Sequence, residues 1–116
     1  MAALPDVQRT ALFGAGGPTA VACASDTLAF ELMHHLRAAG LRVPGDVPVI
    51  GVHSLRMAEF AIPPLTTVDI GLFEIGYETA RQIHTLAGKS SPRSVEITFA
   101  PRLVERASVA PARSRL

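Results

Sequence analysis

Two pairs of polar residues stand where apolar segments stop. Ser25-Asp26 follows Thr19–Ala24 (TAVACA), and His53-Ser54 follows Pro48–Val52 (PVIGV). A hydroxyl offers one donor and two acceptors, a carboxylate accepts from several donors, and a neutral imidazole donates once and accepts once. Such a set is equipped to hold a small polar molecule by hydrogen bonds. Structural roles stand beside that reading: Ser25 as a helix N-cap, Asp26 as a charge against a helix macrodipole, His53 as a loop histidine. The other reactive side chains carry less. His34 and His35 are adjacent, so on a helix they point about 100° apart and cannot chelate one metal. His84 has no cysteine or carboxylate at ligand spacing. Cys23 is the one cysteine and lies inside an apolar segment, where a thiol stays protonated and inert. Gly14-Ala15-Gly16-Gly17 precedes a strand, whereas a phosphate-binding loop follows a strand and opens a helix. A receiver-like module would need an acidic cluster at its strand ends, and only Asp26 is available. No enzyme, metal or cofactor is therefore expected.

The elements that must position these pairs can be read from periodicity. Thr19–Ala24 and Pro48–Val52 are apolar on both faces, as in buried strands. Between them Leu28, Leu32, Leu36 and Ala39, with Ala29 and Met33 beside them, make one wide apolar helical face. Gly40 follows at the position where a left-handed residue ends a helix. Strand, helix and strand form a βαβ unit with parallel strands. Further on, Ser54–Ala61 suggests a short helix, Pro63-Pro64 an extended turn, and Leu65–Val68 a strand rich in β-branched residues. Leu72–Ala87 is a second amphipathic helix with Leu72, Ile75, Thr79, Ile83 and Leu86 on one face, and Gly88 stands past its end. Val95–Phe99 and Arg102–Arg106 alternate in polarity and predict short strands. The fold class is α/β, a mostly parallel sheet flanked by helices. In such sheets ligands lie beyond the carboxyl ends of the strands, where both polar pairs fall.

Composition bounds the rest. At 116 residues, 48% of them hydrophobic and 18% charged, the chain has the length of one domain and can bury a core. A net charge of +1 argues for neither nucleic acid nor an anionic membrane surface. Apolar runs break well before the roughly 20 residues of a membrane span. Met1–Asp6 shows no secretory signal pattern, so a cytoplasmic location is expected. The organisation divides into an N-terminal helix and loop (1–17, with helical spacing over Met1–Leu12), a main body (18–110) and a tail (111–116).

Four strings carry a resemblance: PTAVACASD, AAGLRVPGDVPVIGV, IPPLTTVDIGLFEIGYETA and PRLVERASVAP. Together they run from Pro18 to Pro111 and resemble the LacI/GalR family of bacterial transcription regulators, in that family's order. The match is to the C-terminal part of the effector-binding domain, which has the periplasmic-binding-protein type I fold. The resemblance implies a sensory, non-enzymatic domain that binds a small molecule such as a sugar or related metabolite, dimerises, and reaches operator DNA only through an N-terminal helix-turn-helix that this sequence lacks. The chain then corresponds to a partial C-terminal subdomain, and Leu65–Gly88 is expected to leave an apolar helix face in need of cover.

Ligand contacts implied by the resemblance are Ser25, Asp26, His53 and Ser54. Ala24-Ser25-Asp26 stands where the family usually has Ala-Asn-Asp. Gly51-Val52-His53-Ser54 places His53 where the family usually has an aspartate that accepts from the effector. An imidazole there suits an acidic or phosphorylated effector better than a sugar, above all when protonated. The implied dimer interface is Phe30, Met33 and His34 on the first helix, with Phe60, Ala61 and Ile62 before the Pro-Pro turn. A periplasmic-type sugar-binding protein, or a stand-alone small-molecule binding module, is the alternative that keeps the fold and changes the role.

Overall fold

The computed structural model describes residues 17–88 and 94–112. The helix expected over Met1–Leu12 and the last residues of the tail lie outside them. Four strands form one sheet in the order β1-β2-β3-β4: β1 Val21–Ala22, β2 Val49–Val52, β3 Thr66–Asp69 and β4 Arg102–Val104. The first three are parallel, with Ala22 beside Ile50 and Val52 beside Val68. β4 runs antiparallel to β3, with Thr67 opposite Val104. Helix α1 (Asp26–Ala38) crosses from β1 to β2, a 3-10 helix (Arg56–Glu59) lies between β2 and β3, and α2 (Leu72–Leu86) follows β3.

The ends of α1 follow from local chemistry. Ser25 is extended (φ −153°), and its Oγ accepts the Leu28 N–H at 3.2 Å, capping one of the donors that a helix start leaves free. At the other end Gly40 takes φ +76°. Its N–H donates to Arg37 O (3.0 Å), and the Leu41 N–H donates to Leu36 O (2.9 Å). These two bonds are those of a Schellman cap, which needs a left-handed residue at this point.

The buried stripe of α1 is rotated from the expected one. Asp26, Ala29, Met33 and Leu36 face inward, while Leu28 is 50% exposed. Residues two apart do not share a helix face. Once Asp26 points into the protein, Leu28 must point away. The apolar core is Ala29, Met33 and Leu36 of α1 against Val47, Val49, Ala58 and Leu65.

Two strand expectations change. Only Val21–Ala22 of Thr19–Ala24 is a strand, half-buried at Val21 and exposed at Ala22. Among the described residues β2 is its one strand neighbour, so it lies at the edge of the sheet. Val95–Phe99 forms no strand. It lines an open groove together with Ile75, Gln82, Ile83 and Leu86 of α2, and Val95 and Ile97 stay 50% and 42% exposed. The helix α2 forms as expected and begins at Gly71 (φ +72°), but none of its residues is buried. Phe73 is 80% exposed and Ile83 66%.

After β4 the chain clasps the amino ends of β2 and β3. The Arg106 N–H donates to Thr66 Oγ1 (2.8 Å), and its guanidinium donates to Leu65 O (2.8 Å). Ser108 is fully buried. Its Oγ accepts the Thr66 N–H (2.8 Å) and donates to Val49 O (2.6 Å), while its carbonyl accepts the Val49 N–H (2.9 Å). Ser108→Ala would strand a buried N–H and a buried carbonyl. It is expected to lower stability by about 1–3 kcal/mol, read as a shift in the urea midpoint at unchanged m-value.

Candidate functional site

Because β1, β2 and β3 are parallel, their carboxyl ends share one edge. Ser25 lies beyond β1, His53-Ser54 beyond β2, and Asp69 closes β3. Both residues of the His53-Ser54 turn have positive φ, +103° and +54°. In non-glycine residues such conformations cost about 1–3 kcal/mol each and persist only where the surroundings over-determine them. Here three successive N–H groups are held. His53 donates to Val68 O (2.9 Å), Ser54 to Thr67 Oγ1 (3.2 Å) and Leu55 to Asp26 Oδ2 (2.7 Å). The Thr67 hydroxyl in turn donates to Asp26 Oδ1 at 2.5 Å.

Asp26 therefore lies beneath the edge and not on it. Expected as a ligand contact, it is 0% exposed, and each of its carboxylate oxygens accepts from inside the protein. Ser25, His53 and Ser54 remain half-buried and face the edge of the fold where the strands end. Gly51 makes room for this arrangement. A Cβ there would fall on Asp26 Oδ1 and come within 3.1 Å of Asp26 Cα and 3.0 Å of Leu65 Cδ2.

Asp69 completes the edge. Oδ1 accepts the Gly71 N–H (2.9 Å) and Oδ2 accepts from the Arg102 guanidinium (3.0 Å). The Gly71 N–H first, and Arg102 second, hold its carboxyl below the usual carboxylate range. Burial raises the pKa of the Cys23 thiol, in keeping with an unreactive residue. His34 and His35 meet edge to face with ring centroids 5.6 Å apart. Among the described residues no group of three potential metal ligands comes together.

A second feature lies along α1. Phe30, Met33, His34, Phe60, Ala61 and Ile62, the six residues expected at a dimer interface, line one groove of about 400 Å³ together with Arg37 and Met57. Phe60 is 63% exposed and Ile62 80%. The groove thus leaves apolar side chains open beside α1.

Sequence reasoning missed Gly51, Thr67 and Asp69. Gly51 did carry a signal, because a glycine inside an otherwise apolar strand marks a close approach. Thr67 carried none, since a threonine in a strand is ordinary.

Comparison with known proteins places this geometry. A family model described as a periplasmic binding protein-like domain matches residues 2–109. The transcriptional repressor PurR of Vibrio atlanticus is 37% identical over 93 residues, covering 79% of this chain and 28% of the repressor. The transcriptional regulator MalR of Streptomyces coelicolor is 40% identical over 95 residues, covering 81% of this chain and 27% of that protein. The chain belongs to the LacI family of transcription regulators. Among solved structures, a LacI family regulator from Enterococcus faecium with bound ribose superposes with a TM-score of 0.81 at 31% identity, covering 91% of this chain and 39% of that one. This LacI-family chain thus spans a little over a quarter of the length of its curated relatives, 28% and 27%. Those relatives are transcription regulators, in line with the expectation of a protein that is not an enzyme. Among the described residues no helix is long and apolar enough to cross a membrane.

The contact at Gly51 gives a direct check on the buried carboxylate. Gly51→Ala must displace Asp26 or Leu65. A loss of about 1–3 kcal/mol, the usual range for overpacking, is expected in denaturant unfolding.

Proposed function

We propose that this chain is the effector-sensing and dimerising part of a LacI-type regulator. A small molecule, a sugar or related metabolite, would sit at the carboxyl ends of β1, β2 and β3. Ser25, His53 and Ser54 are its contacts from this side, with Asp26 holding the turn from below. The observation that carries the reading is the His53-Ser54 turn. Two consecutive non-glycine residues are kept at positive φ at an edge that parallel sheets use for ligands. The ribose held by the Enterococcus faecium regulator supports a sugar or a sugar-like effector. The imidazole at His53 favours one that carries an acidic or phosphoryl group. Operator DNA would be reached through a helix-turn-helix outside this sequence, and the protein would act in the cytoplasm, where its operator lies.

Amide NMR titration of the 116-residue chain with ribose, ribose 5-phosphate and inorganic phosphate tests the site. Saturable shifts at Ser25, His53 and Ser54, strongest with the phosphorylated sugar and lost in His53→Ala, are expected. Saturable shifts around Met57 and Phe60 instead, or no shift with any of the three, would overturn the assignment.

The groove on α1 is the proposed two-fold interface. A second copy would bury Phe30, Phe60 and Ile62 in a self-complementary contact. Phe30→Asp places a charge in the groove and is expected to convert a dimer to a folded monomer in sedimentation velocity. An unchanged profile would exclude this face.

A further inference from the structure

The edge at His53-Ser54 and the groove on α1 share no residue, yet the same two segments build both. Ser25 caps α1 at the edge, and Phe30 and Met33 line the groove from that helix. The turn at His53-Ser54 runs directly into Leu55, the residue that starts the 3-10 helix, and Met57 and Phe60 then line the groove. The two segments are tied at one place. Asp26, the first residue of α1, accepts the Leu55 N–H, and through Thr67 it is bonded to the Ser54 N–H.

We infer that Asp26 and Thr67 are positioning residues that couple the His53-Ser54 turn to the groove-lining 3-10 helix, so that displacing one displaces the other. The inference rests on the reading of that edge as an effector site. Both residues are 0% exposed, so no solvent is at hand to replace a broken bond. The Thr67 hydroxyl is committed in both directions, accepting from Ser54 and donating to Asp26. Leu55 has no side-chain cap of its own for the 3-10 helix, and its N–H is held by Asp26. The far end of that helix is held as well. Ala58 is fully buried and its carbonyl accepts the Leu65 N–H at 2.7 Å. A turn that relaxes from positive φ must break the bonds at Ser54 and Leu55 or carry the 3-10 helix with it. Breaking them leaves buried polar groups unpaired, so the helix moves.

The test needs no ligand. Met57 reports on the groove through its methyl signal. Thr67→Val keeps the side-chain shape and removes the hydroxyl. In the 116-residue chain it is expected to displace the amide signals of His53 and Ser54 and the methyl signal of Met57 together. Thr67→Ser is expected to restore all three. Ser108→Ala serves as the control for a purely structural loss. It removes a buried hydroxyl at the opposite ends of the same strands, and it should lower the melting temperature without moving those signals. Movement at His53 and Ser54 with Met57 unmoved overturns the coupling. Equal movement in Ser108→Ala, or no return in Thr67→Ser, overturns it too. If Thr67→Val does not fold, His53→Val, whose β-branched side chain opposes a φ of +103°, displaces the turn with Asp26 and Thr67 unchanged. Met57 must then move for the coupling to stand, and an unmoved Met57 ends it. Failure here is separate from failure of the effector reading, which wild-type titration decides at Ser25, His53 and Ser54.

Discussion

A carboxylate taken out of water must be fully hydrogen-bonded where it lands, and Asp26 imposes that requirement on everything around it. Its two oxygens collect a backbone N–H from Leu55 and a hydroxyl from Thr67. Those partners come from the start of the 3-10 helix and from β3, so one side chain on α1 joins three segments remote in sequence. The demand for space sets residue type as well as contact. Gly51 must lack a side chain because the carboxylate occupies the place of its Cβ. The helix must turn so that Ala29, Met33 and Leu36 follow Asp26 inward. The apolar core and the polar hub are thus one arrangement. Rotating α1 to bury Leu28 would pull Asp26 out of both hydrogen bonds.

Much of this architecture was legible in the residues, because local chemistry decides local geometry. A serine before an apolar periodic run caps a helix, and Ser25 does so. A glycine after such a run takes the left-handed conformation, as Gly40 and Gly88 do. The order of strand, helix and strand leaves parallel pairing as the arrangement to expect, and the pairing is parallel. The failures share a cause: each depended on a partner remote in the chain. Asp26 reads as a surface charge at a helix start until Thr67 and Leu55 are known to lie beneath it. Val95–Phe99 has the alternation of a strand, but pairing needs an adjacent backbone, and among the described residues the sheet has none beside it. The candidate site was legible as a place, the ends of two strands, and less so as a set of roles. Ser25, His53 and Ser54 stand at the edge, whereas Asp26 supports them from within.

The two helices make opposite use of the same amphipathic pattern. Nearly every inward residue of α1 is enclosed by β2, Ala58 and Leu65. The stripe on α2 is as regular, yet it buries nothing among the described residues. Its polar face is instead braced along the helix: the Arg81 guanidinium and the Gln82 amide both donate to Glu78, and the first of these holds the Glu78 carboxyl down at about 2. Pairs three or four apart support an exposed helix by only a few tenths of a kcal/mol each. Burial against α1, and not such pairs, must therefore carry most of the stability of this fold.

That division bears on why strain can survive at His53 and Ser54. Two positive-φ residues would be expensive on a loop free to relax, at about 1–3 kcal/mol each. Here the turn is bounded on both sides by the well-packed part of the molecule. β2 leads into it with Val49 fully buried, and the 3-10 helix leads out of it with Ala58 fully buried. Between those anchors the backbone donors of residues 53, 54 and 55 all find acceptors on β3 or α1. Relaxing φ at either residue would forfeit at least one of these bonds, each worth about 1 kcal/mol and more where a buried group is left unpaired. The strain and the bonds are of the same order, so the turn is held firmly and not immovably.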